Sequence, residues 1–341
     1  YAATTHPTLQ GDGTGPTVVM GEDTTVAGFI ITNPGGGGLG AGGATPITGP
    51  IDSPCFPGES FDVSRAGLVA YNMSGLVIRD NIFRDVSYGA VLVDTLTGPG
   101  DSFEAFIAGN FFGGYEGGPG ATYAGLTIDA AGASGTFDVF LQGNTFSYNG
   151  DEGFVVEAFY YDDVYLTIND SIAQYNEGDG LDLEIVGTAN ATWLAVNGAN
   201  VSYNESDGIE VDNNGAYGNC NAQFNDITAN GNYANGLAFW NVGAGSYAGN
   251  AFLGLNGVTA QHNGAVYGGD GIYMAEVGAG SLNGNALFSM YNVNASYNEW
   301  FGLFTDCGAY ASYGNASTLL ENVTANGNGY GGLGFWYPGS I

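Results

Sequence analysis

Lysine is absent from the sequence, and arginine occurs only as Arg65, Arg79 and Arg84, against 34 acidic residues and a formal net charge of −31. A chain this poor in cations has nothing with which to replace the counterions of a phosphate backbone, so a nucleic-acid-binding role is excluded. The same balance argues against anionic lipid surfaces and polyanionic substrates. Self-repulsion on this scale calls for screening, so salt or divalent cations are expected companions. Histidine is nearly absent too: His6 lies in the N-terminal tail, and His262 sits in Gln261-His-Asn-Gly. Neither has a Ser or Cys partner at a recognisable catalytic spacing. No apolar run reaches the ~18 residues of a membrane span. No heptad or 3.6-residue pattern runs through the chain, which leaves little room for helices. Cysteine numbers only 3, and an odd count leaves at least one without an intrachain partner.

What is abundant is glycine, 61 residues, together with 22 Tyr and 20 Phe in a chain that is 44% hydrophobic. That is ample for a core. Between Asn144 and Asp212 one unit is written nearly three times: Asn144-Thr-Phe-Ser-Tyr-Asn149 with Gly153-Phe-Val-Val, Ser171-Ile-Ala-Gln-Tyr-Asn176 with Gly180-Leu-Asp-Leu, and Asn200-Val-Ser-Tyr-Asn204 with Gly208-Ile-Glu-Val. In each copy the Asn precedes the Gly by a fixed interval and the Gly opens a short strand of alternating apolar and polar residues. The same Gly recurs as Gly67, Gly89, Gly125, Gly236, Gly271, Gly302 and Gly332, so about ten coils of a solenoid are visible. Short strands between Gly, Asn and Asp turns predict an all-β chain with three strands per turn. The Asn of each copy, Asn149, Asn176, Asn204, Asn232, Asn298 and Asn328, is expected to stack as a ladder, the amide bonding the next coil and the backbone taking the left-handed turn that Asn tolerates. Residues 1–60 read as an N-terminal strand, a first coil beginning near Val18, and a Gly/Pro-rich surface loop from Pro34 to Gly58 that carries Cys55. Residues 61–341 read as the repeat body.

These repeats resemble the right-handed parallel β-helix family, whose members include polysaccharide lyases and hydrolases, phage tailspikes and archaeal surface-layer proteins. The missing lysine, the acidity and the sequons look most like an archaeal cell-envelope protein of the surface-layer or sheath type. The resemblance implies a structural subunit that self-assembles, with itself as partner, glycans as a second class of partner, and a place outside the cell or on its surface. The chain begins at Tyr1, as a mature form would after loss of a signal peptide. Eight Asn-x-Ser/Thr sequons fit export: Asn72, Asn169, Asn190, Asn200, Asn204, Asn294, Asn315 and Asn322. The rival reading from the same family is a polysaccharide-active enzyme or a glycan-binding adhesin. Hydrolases of the fold carry Asn-x-Asp, Asp-Asp, Gly-His-Gly and Arg-x-Lys on successive coils; here Asp162-Asp163 is present, while the last motif is impossible without Lys. The expectation is therefore that the chain is not an enzyme.

Within each strand alternate residues face outward. Glu157, Asp182, Glu184, Glu210 and Asp212 are thus expected to form a two-column carboxylate patch on one sheet. Three readings stand: a solvated acidic face, a Ca²⁺-type site built from hard oxygen donors, or a glycosidase acid/base pair. Asp179, Asp207 and Asp270 directly precede the coil Gly, as Asn235 does, and Asp-Gly is first a turn signal. Trp240, Tyr273, Trp300, Phe304 and Trp336 are placed to line an exposed strip suited to sugar binding or subunit packing. Cys220 and Cys307 lie three coils apart, ~14 Å, too far for a disulfide, so Cys55 on its loop is the candidate for pairing with either or for an intersubunit bond. The last coil, with Phe335, Trp336 and Ile341, is expected to be a joint between subunits.

Overall fold

The computed structural model describes residues 6–34, 50–56, 59–95, 101–114, 120–132, 134–214, 218–243, 249–266, 268–275, 285–306 and 316–336. Its strands fall into three parallel sheets of 6, 10 and 11 strands plus a two-stranded antiparallel hairpin. The fold is a parallel β-helix. The longest sheet contains Leu126–Ala131, Phe154–Phe159, Leu181–Val186, Ile209–Asn214, Leu237–Trp240, Ile272–Ala275 and Phe301–Asp306 in spatial as well as chain order. Pairing is residue for residue, as in Leu181↔Ile209, Asp182↔Glu210 and Leu183↔Val211. A parallel ladder in register puts chemically equivalent repeat positions one above another. The strand Val18–Met20 heads this sheet by pairing with Leu68–Ala70, so the solenoid begins before residue 60.

Inward residues fill the lumen as stacks. Phe83, Phe112, Phe146 and Phe154 are fully buried, with successive ring centroids 4.6, 5.2 and 5.7 Å apart. Each such ring contributes about 1.5–3 kcal/mol through burial.

The Asn ladder runs through every coil from Asn149: the Nδ2 of Asn149, Asn176, Asn204, Asn232, Asn263 and Asn298 donates to the Oδ1 of the next member, ending at Asn328. Asn263 belongs to the ladder although His262 disguises its repeat. The backbone reason differs from the expected one. The left-handed residue is not the Asn but the one before it, with φ of 59° at Tyr148 and Tyr175, 63° at Tyr203 and Tyr297, and 58° at His262. The ladder in turn dictates the coil glycine. A Cβ on Gly180 would sit 2.5 Å from the carbonyl oxygen of Gly208 and 2.8 Å from the Asn204 amide nitrogen, so only glycine admits the close approach.

The segment expected to be a surface loop folds back instead. Ile51–Asp52 and Ser60–Phe61 pair as the hairpin, and Ile51 packs with Val63, Val69, Val91 and Val93 on the outer face of the long sheet. The outward residues of the first coils are apolar, so covering them removes that surface from water. Cys55, expected on a mobile loop, is buried beneath this strap.

Candidate active site

The outer face of the long sheet is written in two columns. One runs Val155, Asp182, Glu210, Ala238, Tyr273, Phe304; the other runs Asp129, Glu157, Glu184, Asp212, Trp240. Along the axis the face passes from the strap, through a row of carboxylates, into an aromatic cleft. Neighbouring strands sit ~4.8 Å apart, which sets the spacing between carboxylates of one column; two residues along one strand are ~6.6 Å apart.

All five carboxylates named from the sequence stand on this face. Sequence reasoning missed Asp129, whose place above Glu157 could have been read from its equal offset from the coil glycines Gly125 and Gly153. Asp179, Asp207 and Glu210 form a second cluster, with one ligating atom from each within 4.8 Å of the others. The first two are also turn acceptors: Asp179 Oδ1 receives the Asp207 N–H, Asp207 Oδ1 that of Asn235, Asn235 Oδ1 that of Asp270, and Asp270 Oδ1 that of Phe301. The amide of Asn235 serves in the same column, so the position requires an acceptor rather than a charge.

Burial dominates the electrostatics here. It pushes Asp182 up to about 9, with Asp179 and Glu210 adding repulsion; Asp207 rises to about 8 and Glu157 to about 8 for the same pair of causes, burial first and neighbouring carboxylates second. Glu210 rises to about 7, through burial and then Asp179 and Asp212. Asp212 is raised by burial while its hydrogen bonds from Asn241 Nδ2 pull the other way. At neutral pH the middle of the row therefore holds protons, and a plain solvated acidic face would not.

Beyond Asp212 the face opens into a cleft of about 680 Å³ lined by Trp240, Asp270, Tyr273, Trp300, Phe304 and Tyr330. Trp240 and Tyr273 meet at 4.7 Å, and Tyr273 stacks on Phe304 at 5.9 Å. Ala238 separates Glu210 from Tyr273 in their column. The Nε1–H of Trp240 is enclosed without a hydrogen-bond acceptor.

Other expected sites fare differently. Asn204 has a fully buried side chain locked in the ladder, so it is excluded as a glycan acceptor in the folded chain. Asn190 and Asn322 are exposed, Asn72, Asn169, Asn200 and Asn294 are half-buried, and Asn315 lies outside the described residues. Cys55 and Cys220 are separate buried thiols, the latter pushed up to about 12 by burial; this corrects the pairing of Cys55 with Cys220. Cys307 lies outside the described residues. Phe335 is 51% exposed, while the Trp336 side chain and Ile341 also lie outside them.

No protein-family model and no curated protein sequence matches the chain. Two solved structures are similar to it at low identity. The mannuronan C-5 epimerase AlgE4 A-module of Azotobacter vinelandii is 13% identical over 81% of this chain and 84% of that one, with a TM-score of 0.39. The AlgE6 A-module from the same organism is 15% identical over 76% and 84%, with a TM-score of 0.32. Both are polysaccharide-acting enzymes by name, and neither is a surface-layer or sheath protein. This corrects the expectation of a non-enzymatic archaeal structural subunit. The likeness is one of scaffold; the activity has to be argued from this chain's own side chains.

Proposed function

We propose that the chain is an extracellular glycoside hydrolase acting on a neutral polysaccharide laid along the outer face of the long sheet. One observation carries the reading: two carboxyls, Glu210, which burial pushes up to about 7, and Asp212, which accepts from Asn241 Nδ2, stand two residues apart on one strand that leads directly into the Trp240/Tyr273 cleft. Aromatic rings bind the apolar faces of sugars, and Trp240 and Tyr273 line the cleft with such rings. Glu210, with a pKa of about 7, is suited to give its proton to the glycosidic oxygen. Asp212, raised by burial and pulled the other way by the Asn241 hydrogen bonds, acts in its carboxylate form and takes a proton from the water that attacks the anomeric carbon from the opposite side. The bond to the leaving sugar breaks, the new C–O bond comes from water, and both carboxyls end with their protons exchanged. The Cα atoms of two residues along one strand are ~6.6 Å apart, which leaves room between the side chains for a water and fits an inverting reaction.

The substrate class follows from charge. No basic side chain stands in the two outward columns or among the cleft residues, so a polyuronate such as mannuronan would meet only carboxyls and rings. A neutral glycan meets no such repulsion. Ca²⁺ bound by the row would compete with these protons and is expected to inhibit.

The test is release of reducing ends from neutral polysaccharides. Glu210→Gln should lower kcat by about 10²–10⁴-fold with KM little changed, as removal of a general acid does. Trp240→Ala should raise KM instead. Equal activity in wild type and Glu210→Gln would refute the assignment.

A further inference from the structure

Where the strap meets the sheet, three potential ligands converge: the Cys55 thiol, the Asp129 carboxyl and the Glu157 carboxyl, with one ligating atom from each within 4.8 Å of the others. Asp129 is 0% exposed, and neither of its carboxyl oxygens has a hydrogen-bond partner; Glu157 Oε2 is enclosed in the same way. Burial raises Asp129, and the Cys55 thiol, the Ser53 hydroxyl, the Cys55 N–H and the Glu157 carboxyl beside it temper that rise, but none of them reaches it with bonding geometry. The thiol points instead toward the carbonyl oxygens of Ala130, at 3.5 Å, and Glu157, at 3.8 Å. Three unsatisfied carboxyl oxygens sealed under a hairpin are costly unless a proton or a cation occupies the space between them.

The donor set discriminates among cations. Ca²⁺ and Mg²⁺ take oxygen ligands and leave thiols alone. One sulfur and two carboxylates supply three of the four ligands of a tetrahedral ion of borderline softness. We propose that Cys55, Asp129 and Glu157 form a zinc-type structural site that pins the Ile51–Phe61 hairpin onto the long sheet and so fixes the closed end of the outward face. Binding releases the thiol proton and the protons that the raised Asp129 and Glu157 carboxyls hold in the ion's absence, so that thiolate and carboxylates face the ion. The ion then joins two segments distant in sequence: the hairpin, through Cys55, and the two adjacent strands that carry Asp129 and Glu157. Next to Cys55 in the chain, Phe56 packs edge-on against Phe159 at 5.4 Å, a second contact between the hairpin and the strand that carries Glu157.

Cobalt(II) is the probe, titrated into the metal-stripped full chain. The expected result is a sulfur-to-cobalt charge-transfer band that saturates at one equivalent, is bleached by Zn²⁺ and persists in excess Ca²⁺. It should vanish in Cys55→Ser and survive in Cys220→Ser, and Zn²⁺ should raise the Tm of the wild type but not of Cys55→Ser. Glu157→Gln should weaken cobalt binding at least tenfold. Should Cys55→Ser fail to fold, native mass spectrometry of the wild type with Zn²⁺ supplies the decision, a single retained ion supporting the site. A folded wild type that gives no band and retains no zinc would show that a shared proton satisfies the carboxyls and would overturn the proposal, as would a band that survives in folded Cys55→Ser.

Discussion

At the scale of single residues the molecule is governed by close approaches that tolerate no substitute. Asn204 donates through Nδ2 to the Ala173 carbonyl and the Asn232 side chain, and accepts from the backbone and side chain of Asn176. Replacing it by Ala strands these groups in a dry interior, which costs about 1–3 kcal/mol; urea denaturation should show the midpoint fall with the slope unchanged. Gly180→Ala forces a methyl against the Gly208 carbonyl and the ladder amide. Overpacking of that kind costs ~1–3 kcal/mol, and the same measurement reads it. The ladder was legible in the sequence because Asn recurs at the repeat interval. The left-handed residue was not, since a tyrosine is a poor advertisement for positive φ, yet Tyr148, Tyr175 and Tyr203 all take that conformation.

At the scale of the element, the long sheet behaves as a proton store. Asp182, Asp207 and Glu210 have folded-state pKa values of about 9, 8 and 7 against ordinary carboxyl values of 3.8, 3.8 and 4.5. The folded state therefore binds more protons than the unfolded one between those limits, and stability falls as pH rises. The stabilising contribution is complete below about pH 4 and is lost progressively up to about pH 9. Tm measured from pH 4 to 9 should decline steadily, the reverse of ordinary acid denaturation. Asp182→Asn should flatten the upper part of that decline. The carboxylate columns followed from alternation within repeats of equal length, so the sequence alone was enough to locate Glu157, Asp182, Glu184, Glu210 and Asp212. Asp129 and Cys55 escaped it, because the first precedes the clean copies and the second reaches the face through a hairpin whose fold depends on burying Ile51 and Phe61 against distant valines.

At the scale of the whole molecule, the solenoid turns a repeat into a track. Equivalent positions from successive coils form continuous columns, so altering the residue type along a column changes the chemistry along the axis, from valine under the strap to carboxyl to aromatic. The fold class was legible throughout, since glycine interval and strand alternation agree. The activity was not, because charge and sequons describe an environment, whereas acid/base chemistry depends on which carboxyls lose water and on what stands beside them. The most direct measurement is a crystal structure of Glu210→Gln soaked with a neutral oligosaccharide. The account predicts sugar rings on Trp240 and Tyr273, with a glycosidic oxygen at residue 210 and the chain running along the outward columns. Sugar bound only elsewhere, or no sugar at a concentration that saturates catalysis, would contradict it.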